Sequence, residues 1–144
     1  MREDIKKLYT QVIKAHNEEP FHFTKIENAL NIIKSFNPIC GDRFEFFIDI
    51  DSKKIKEIHF HGFGCAISKA SASVLVQTLD GKTVKEAILV CNDFLKFVNK
   101  ELKSDELIFQ KEFLAFSGVY DFPERYDCAT LSWIEMMKFL EQSK

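Results

Sequence analysis

The side chains best suited to chemistry in this 144-residue chain are its cysteines, and three of the four sit in stretches dense in glycine and proline. Cys40 lies in Asn37-Pro38-Ile39-Cys40-Gly41-Asp42, Cys65 follows Gly62-Phe63-Gly64, and Cys128 ends Phe122-Pro123-Glu124-Arg125-Tyr126-Asp127-Cys128. Such loops bend tightly around a small object, and a glycine beside a cysteine lets the main chain approach a bound metal or cluster without a clash. The pattern points to a metal or sulfur site. The fourth cysteine, Cys91, falls inside an apolar helical run and reads as a small buried hydrophobe.

What must position these thiols follows from the pattern around them. Ile5, Leu8, Tyr9, Val12 and Ile13 recur at helical spacing and predict an amphipathic helix over roughly residues 3 to 16. Asn17 to Thr24 reads as a loop, and Thr24 with Glu27 as a capping box, so we expect a short helical turn and then a strand through Ile32, Ile33 and Phe36. Phe44, Phe46, Ile48 and Ile50 alternate with polar residues, and Ile58 and Phe60 resume after a polar turn at residues 51 to 54. Residues 43 to 63 therefore read as an antiparallel hairpin that brings Cys40 and Cys65 to the same sheet edge.

A helix is expected after Cys65, stopping at Gly81, and a second one opens with a capping box at Thr83-Val84-Lys85-Glu86. Asp105 to Phe116 reads as a further helix, Gly118 to Asp127 as a loop, and a last helix begins near Cys128. The fold class is α+β, a small antiparallel β-sheet packed with helices, with residues 1–144 as one domain. With 46% hydrophobic residues and 15 phenylalanines, the chain has enough apolar surface to bury a core without disulfide staples.

Charge and compartment narrow the function classes. A formal net charge of -2 leaves no broad basic surface, so phosphate-driven nucleic-acid binding is disfavoured and a protein partner favoured. The N-terminus lacks a signal peptide's apolar stretch and no run of about 18 apolar residues exists, so the expected setting is cytoplasmic, with no membrane partner. In reduced surroundings, spaced cysteines bind metal or carry sulfur more often than they pair.

Asn-Pro-x-Cys-Gly-Asp at 37–42, Gly-x-Gly-Cys-Ala-Ile-Ser-x-Ala-Ser-Ala-Ser at 62–73 and Cys-Ala-Thr-Leu-Ser-Trp at 128–133 together resemble the iron–sulfur cluster assembly proteins of the IscU/NifU N-terminal family, and within it the SufU branch. The resemblance runs from Asn37 to Trp133. It implies a persulfide acceptor at Cys40, with Cys40, Asp42, Cys65 and Cys128 as metal ligands. Three sulfurs and one oxygen suit tetrahedral Zn²⁺, and cysteines at helix starts are expected to favour the thiolate. The implied partners are a pyridoxal-phosphate cysteine desulfurase of the SufS kind and downstream Fe–S assembly proteins. Arg125 could hold an anionic persulfide or a partner carboxylate, or be a plain surface arginine.

Two readings stand beside sulfur transfer. IscU-like scaffolds build a [2Fe-2S] cluster on the same three cysteines, but they carry a histidine before the third cysteine, where this chain has Asp127, and a shorter segment between the second and third. A structural zinc module without turnover is the other; such modules usually use Cys-x-x-Cys knuckles, which are absent here. His61 and Phe63 depart from the acidic residues that SufU-like chains tend to have there. His59 and His61 share a strand face and are alternative ligands, or satisfied strand side chains.

Overall fold

The computed structural model describes residues 3–101 and 112–144. Period-2 alternation in the sequence becomes a three-stranded antiparallel meander of β1 (Asn31–Asn37), β2 (Asp42–Asp51) and β3 (Lys54–Phe63), in the order β1-β2-β3. Ile33, Phe46 and Phe60 stand opposite one another across the strands, and with Phe44, Ile48 and Ile58 they make the buried face. Each such side chain contributes about 1.5–3 kcal/mol on burial. The β2–β3 turn is closed by Ser52 and Lys53, both at positive φ (53° and 65°), as the right-handed twist of a two-residue hairpin requires.

Helices cover that face. They are α1 (Glu3–Glu18), α2 (Ala66–Leu79), α3 (Val84–Val98), α4 (Glu112–Ala115) and α5 (Tyr126–Glu141). Helix α2 packs on β3 and α5 on β1, while α1 lies against α2 and α3 against α5. Trp133 of α5 is fully buried, stacked on Phe94 with ring centroids 3.9 Å apart and meeting Phe113 edge-on. The Thr83–Glu86 capping box forms at the start of α3, and Cys91 is fully buried there. Among the described residues, no helix is long and apolar enough to cross a membrane.

Two local expectations are corrected, and a third is described only in part. Thr24 and Glu27 make no capping box or helical turn, because the Thr24 N–H is taken by the Phe60 carbonyl (2.9 Å) while the Phe60 N–H reaches His22 (3.1 Å). The Phe21–Thr24 stretch thereby covers the β3 edge, which would otherwise present unpaired backbone groups. The helix expected from Asp105 falls outside the described residues up to Lys111; beyond it only Glu112–Ala115 is α-helical, and Phe116 opens a 3₁₀ turn. Gly118 to Asp127 is not a loop: 3₁₀ turns at Phe116–Asp121 and Pro123–Arg125 run into α5, which starts at Tyr126. Cys128 is thus inside the first turn of α5 rather than ahead of it.

Candidate metal centre

Pairing of Phe36 with Arg43 and of Arg43 with Phe63 sets the β1–β2 turn and the end of β3 on one sheet edge, so Cys40 and Cys65 leave the sheet side by side. The turn is tied at its base by Asn37. Its carbonyl accepts the Gly41 N–H (2.8 Å), its Oδ1 accepts the Ile39 N–H (3.1 Å), and Gly41 takes the left-handed φ of +76° that closes the turn. Cys40 itself is exposed at the tip.

Cys65 caps α2 in the place usually held by serine or aspartate, its Sγ accepting the Ser68 N–H at 3.4 Å. The Cys65 N–H donates to Asp42 Oδ1 at 3.0 Å. Gly64 makes this approach possible: a Cβ there would fall 2.7 Å from Asp42 Oδ1 and 2.5 Å from the Ser68 hydroxyl. Cys128 arrives from the other side on α5 and is 4% exposed.

Donor atoms of Cys40, Asp42 and Cys128 all lie within 4.8 Å of one another. The two sulfurs are 3.6 Å apart. Two thiolates on one tetrahedral zinc, with bonds of about 2.3 Å, stand about 3.8 Å apart, whereas a disulfide would require about 2.05 Å. Asp42, 4% exposed, keeps Oδ2 buried with no hydrogen-bond partner, an orphan oxygen of the kind that a cation satisfies. The residues present therefore fit a zinc ion. Cys65 is not a member of the mutual set; its sulfur accepts the Ser68 N–H at the α2 cap and lies in hydrogen-bonding reach of Cys128.

Burial first, then the hydrogen bond with Cys40 and the charge of Cys65, push the Cys128 thiol far above its ordinary range. A helix start was expected to lower it. Desolvation among neighbouring anionic donors outweighs the dipole of one helix end. Arg125 is the nearby cation: its guanidinium is held above its ordinary value by a hydrogen bond with Cys128, then by the charges of Cys65 and Cys128.

Neither strand histidine enters the donor set. His59 pairs with Glu57 (3.0 Å) and stacks on His22, and the His61 ring lies against Phe23. Sequence reasoning missed two residues at the site. The Tyr9 phenol on α1 is raised by burial foremost and lies in the field of Arg125, Cys65 and Cys128, although its spacing marked it only as helix packing. Ser68 bonds Cys65 through both its N–H and its hydroxyl, the latter donating to the Cys65 carbonyl at 3.0 Å; its offset of three from the cysteine, the N3 position, was the available signal.

Known proteins resemble this chain over most of its length. A family model described as NifU-like N terminal domain matches residues 8–129. The zinc-dependent sulfurtransferase SufU of Bacillus subtilis is 34% identical over 131 residues, covering 91% of this chain and 88% of that protein. The iron-sulfur cluster assembly scaffold protein IscU of Streptococcus pyogenes is 32% identical over 137 residues, covering 94% and 84%. Among solved structures, a putative iron-sulfur cluster assembly scaffold protein for the SUF system from Fervidobacterium islandicum superposes with a TM-score of 0.80 at 28% identity, covering 94% of this chain and 95% of that one.

Proposed function

Because the chain belongs to the NifU-like N-terminal domain family, we propose that it serves iron–sulfur cluster assembly as a zinc-dependent sulfurtransferase, taking persulfide sulfur from a SufS-like cysteine desulfurase and passing it to the assembly machinery. The observation that carries this reading is the unequal footing of the three thiols: Cys40 exposed on a turn, Cys65 capping a helix, Cys128 buried within one. One thiol faces a donor while two are anchored. Cys40, Asp42, Cys65 and Cys128 would hold the zinc, which supplies a positive centre that keeps thiols deprotonated at neutral pH.

The transfer itself needs no redox partner. The Cys40 thiolate attacks the terminal sulfur of the donor's cysteine persulfide; an S–S bond forms at Cys40, the donor's S–S bond breaks, and its electron pair leaves on the donor's cysteine thiolate. Arg125, beside the site thiols, is placed to neutralise the anionic persulfide that results. Ile39 next to Cys40 is 88% exposed and Phe63 next to Gly64 is 64% exposed, giving the site an apolar rim on which a partner protein can dock while sulfur passes.

The test is to mix the protein with a cysteine desulfurase and cysteine and map added sulfur by mass spectrometry. One extra sulfur on Cys40 is expected, and Cys40→Ser should abolish stimulation of the desulfurase with circular dichroism unchanged. Sulfur mapped to Cys128, or stimulation by Cys40→Ser, overturns the acceptor role. The second reading, a scaffold for a [2Fe-2S] cluster, draws on the likeness to the IscU protein of S. pyogenes. Elemental analysis separates the two: about one zinc per chain supports sulfur transfer, and iron with sulfide in near-equal amounts supports the scaffold.

A further inference from the structure

We propose that Ser71 is a positioning residue for the metal centre: its hydroxyl locks the helix capped by Cys65 to the helix carrying Cys128, and so sets the spacing of their thiols. The proposal takes its purpose from the sulfur-transfer reading above, but its geometry stands by itself.

Helices α2 and α5 pack against each other, and apolar contact is non-directional: it holds two helices together without fixing how far one slides along the other. A buried hydrogen bond does fix that. Ser71, 1% exposed, donates its hydroxyl proton to the Ala129 carbonyl and accepts the Trp133 Nε1–H at 2.9 Å. The directions are forced, because an indole nitrogen only donates and a carbonyl only accepts. Ala129 directly follows Cys128, and Trp133 lies one turn further on the same helix face. One hydroxyl therefore grips a single turn of α5, the turn that presents Cys128.

The grip is rigid at the far side as well, since Trp133 is pinned by its stack on Phe94 and has no room to turn away. Two more hydrogen bonds complete a frame. The Ser132 hydroxyl donates to Ser35 Oγ (3.2 Å), fastening α5 to β1, the strand that leads to Cys40. Asp42 Oδ1 fastens β2 to the start of α2 through the Cys65 N–H. Ser71 is the link that joins α2 to α5, and without it the frame opens between the two anchored thiols.

Ser71→Ala, Trp133→Phe and the parent protein are compared in three measurements: Co²⁺ titration followed by thiolate-to-metal absorption, thermal unfolding of the metal-free protein, and, also without metal and in a Cys40→Ser background, the equilibrium of Cys65–Cys128 disulfide formation against a glutathione buffer. Ser71→Ala should bind Co²⁺ about tenfold more weakly, as loss of an outer-sphere support does, and should shift the disulfide equilibrium toward the dithiol. Trp133→Phe keeps the Ser71–Ala129 bond and loses only the second of the hydroxyl's two ties, so it should lower the unfolding temperature and move both site readouts less than Ser71→Ala does. A merely structural serine would lower the unfolding temperature alone. Parent-like cobalt affinity and disulfide equilibrium in Ser71→Ala overturn the proposal. If Ser71→Ala fails to fold, the Ser71→Ala/Trp133→Phe chain, which orphans no indole donor, takes its place in the same measurements. A parent protein that binds no Co²⁺ through thiolates would sink the metal reading, and the disulfide equilibrium would still decide the role of Ser71.

Discussion

Asp42→Asn separates a ligand from a structural carboxylate, because only the loss of a ligand shows in zinc affinity. Asn retains Oδ1 as acceptor for the Cys65 N–H and replaces the buried, unpartnered Oδ2 with an amide of nearly the same size. In the metal-free protein the hydrogen bond to Cys65 falls from charge-assisted to neutral, a loss of about 1 kcal/mol. The orphan Oδ2 gives way to an amide nitrogen that is equally buried and without a partner, so this exchange returns little. The net is a metal-free protein at most about 1 kcal/mol less stable. With metal the loss is larger: an anionic ligand is gone, and zinc affinity should fall at least about tenfold, or about 1.4 kcal/mol. Urea unfolding in chelator and at saturating zinc gives the two stabilities, and competition with a chromophoric chelator gives the affinity. A metal-free loss of more than about 1 kcal/mol, beyond what one weakened hydrogen bond explains, or an unchanged zinc affinity, would refute the reasoning.

Two further outcomes rest on other parts of the fold. Ser73 Oγ accepts the Phe21 N–H (2.8 Å) and is hydrogen-bonded to His16 Nδ1 (2.7 Å), and burial holds that imidazole less basic than usual. The unfolded chain then takes up the proton first, so this stability is complete above pH about 6.5 and drains away as the pH falls below it; His16→Gln should flatten that step in pH-dependent urea unfolding, and an unaltered step would count against it. Lys53→Gly relieves a lysine held at φ 65° in the β2–β3 turn and should stabilise by about 0.5–1 kcal/mol, read as a higher urea midpoint; a lower midpoint contradicts the turn assignment.

How much of this was legible in the sequence depends on how local the cause is. The hairpin, the α2 and α3 starts and the shared edge of Cys40 and Cys65 follow from alternation, capping chemistry and glycine, all written within a few residues. The Thr24–Glu27 box failed because its backbone N–H had a better partner on β3, a strand some 35 positions away that no local pattern announces. The start of α5 was placed two residues late because Pro123 reads as a loop breaker, whereas here it opens a 3₁₀ turn that flows into the helix. Ser71 and Trp133 lay inside the motifs that pointed to the family, yet their pairing across two helices is purely tertiary.

The same distinction between local and tertiary ties explains why the three thiols are not interchangeable. To change partner, Cys65 must give up the Ser68 N–H that it caps, which frays the first turn of α2. Cys128 can move only if α5 moves, and α5 is held at Ser71 and Ser132 and wedged by a buried tryptophan. Cys40 is different. The bonds that hold its turn run from Gly41 and Ile39 back to Asn37, so they brace the residues on either side and leave the thiol itself uncommitted to the backbone. A sulfur acceptor must present its sulfur to two partners in succession, and here that is cheapest for the thiol whose displacement breaks no helix cap and no interhelical bond. The acceptor role proposed for Cys40 thus follows from where the fold has spent its hydrogen bonds, independently of the motif in which the residue sits.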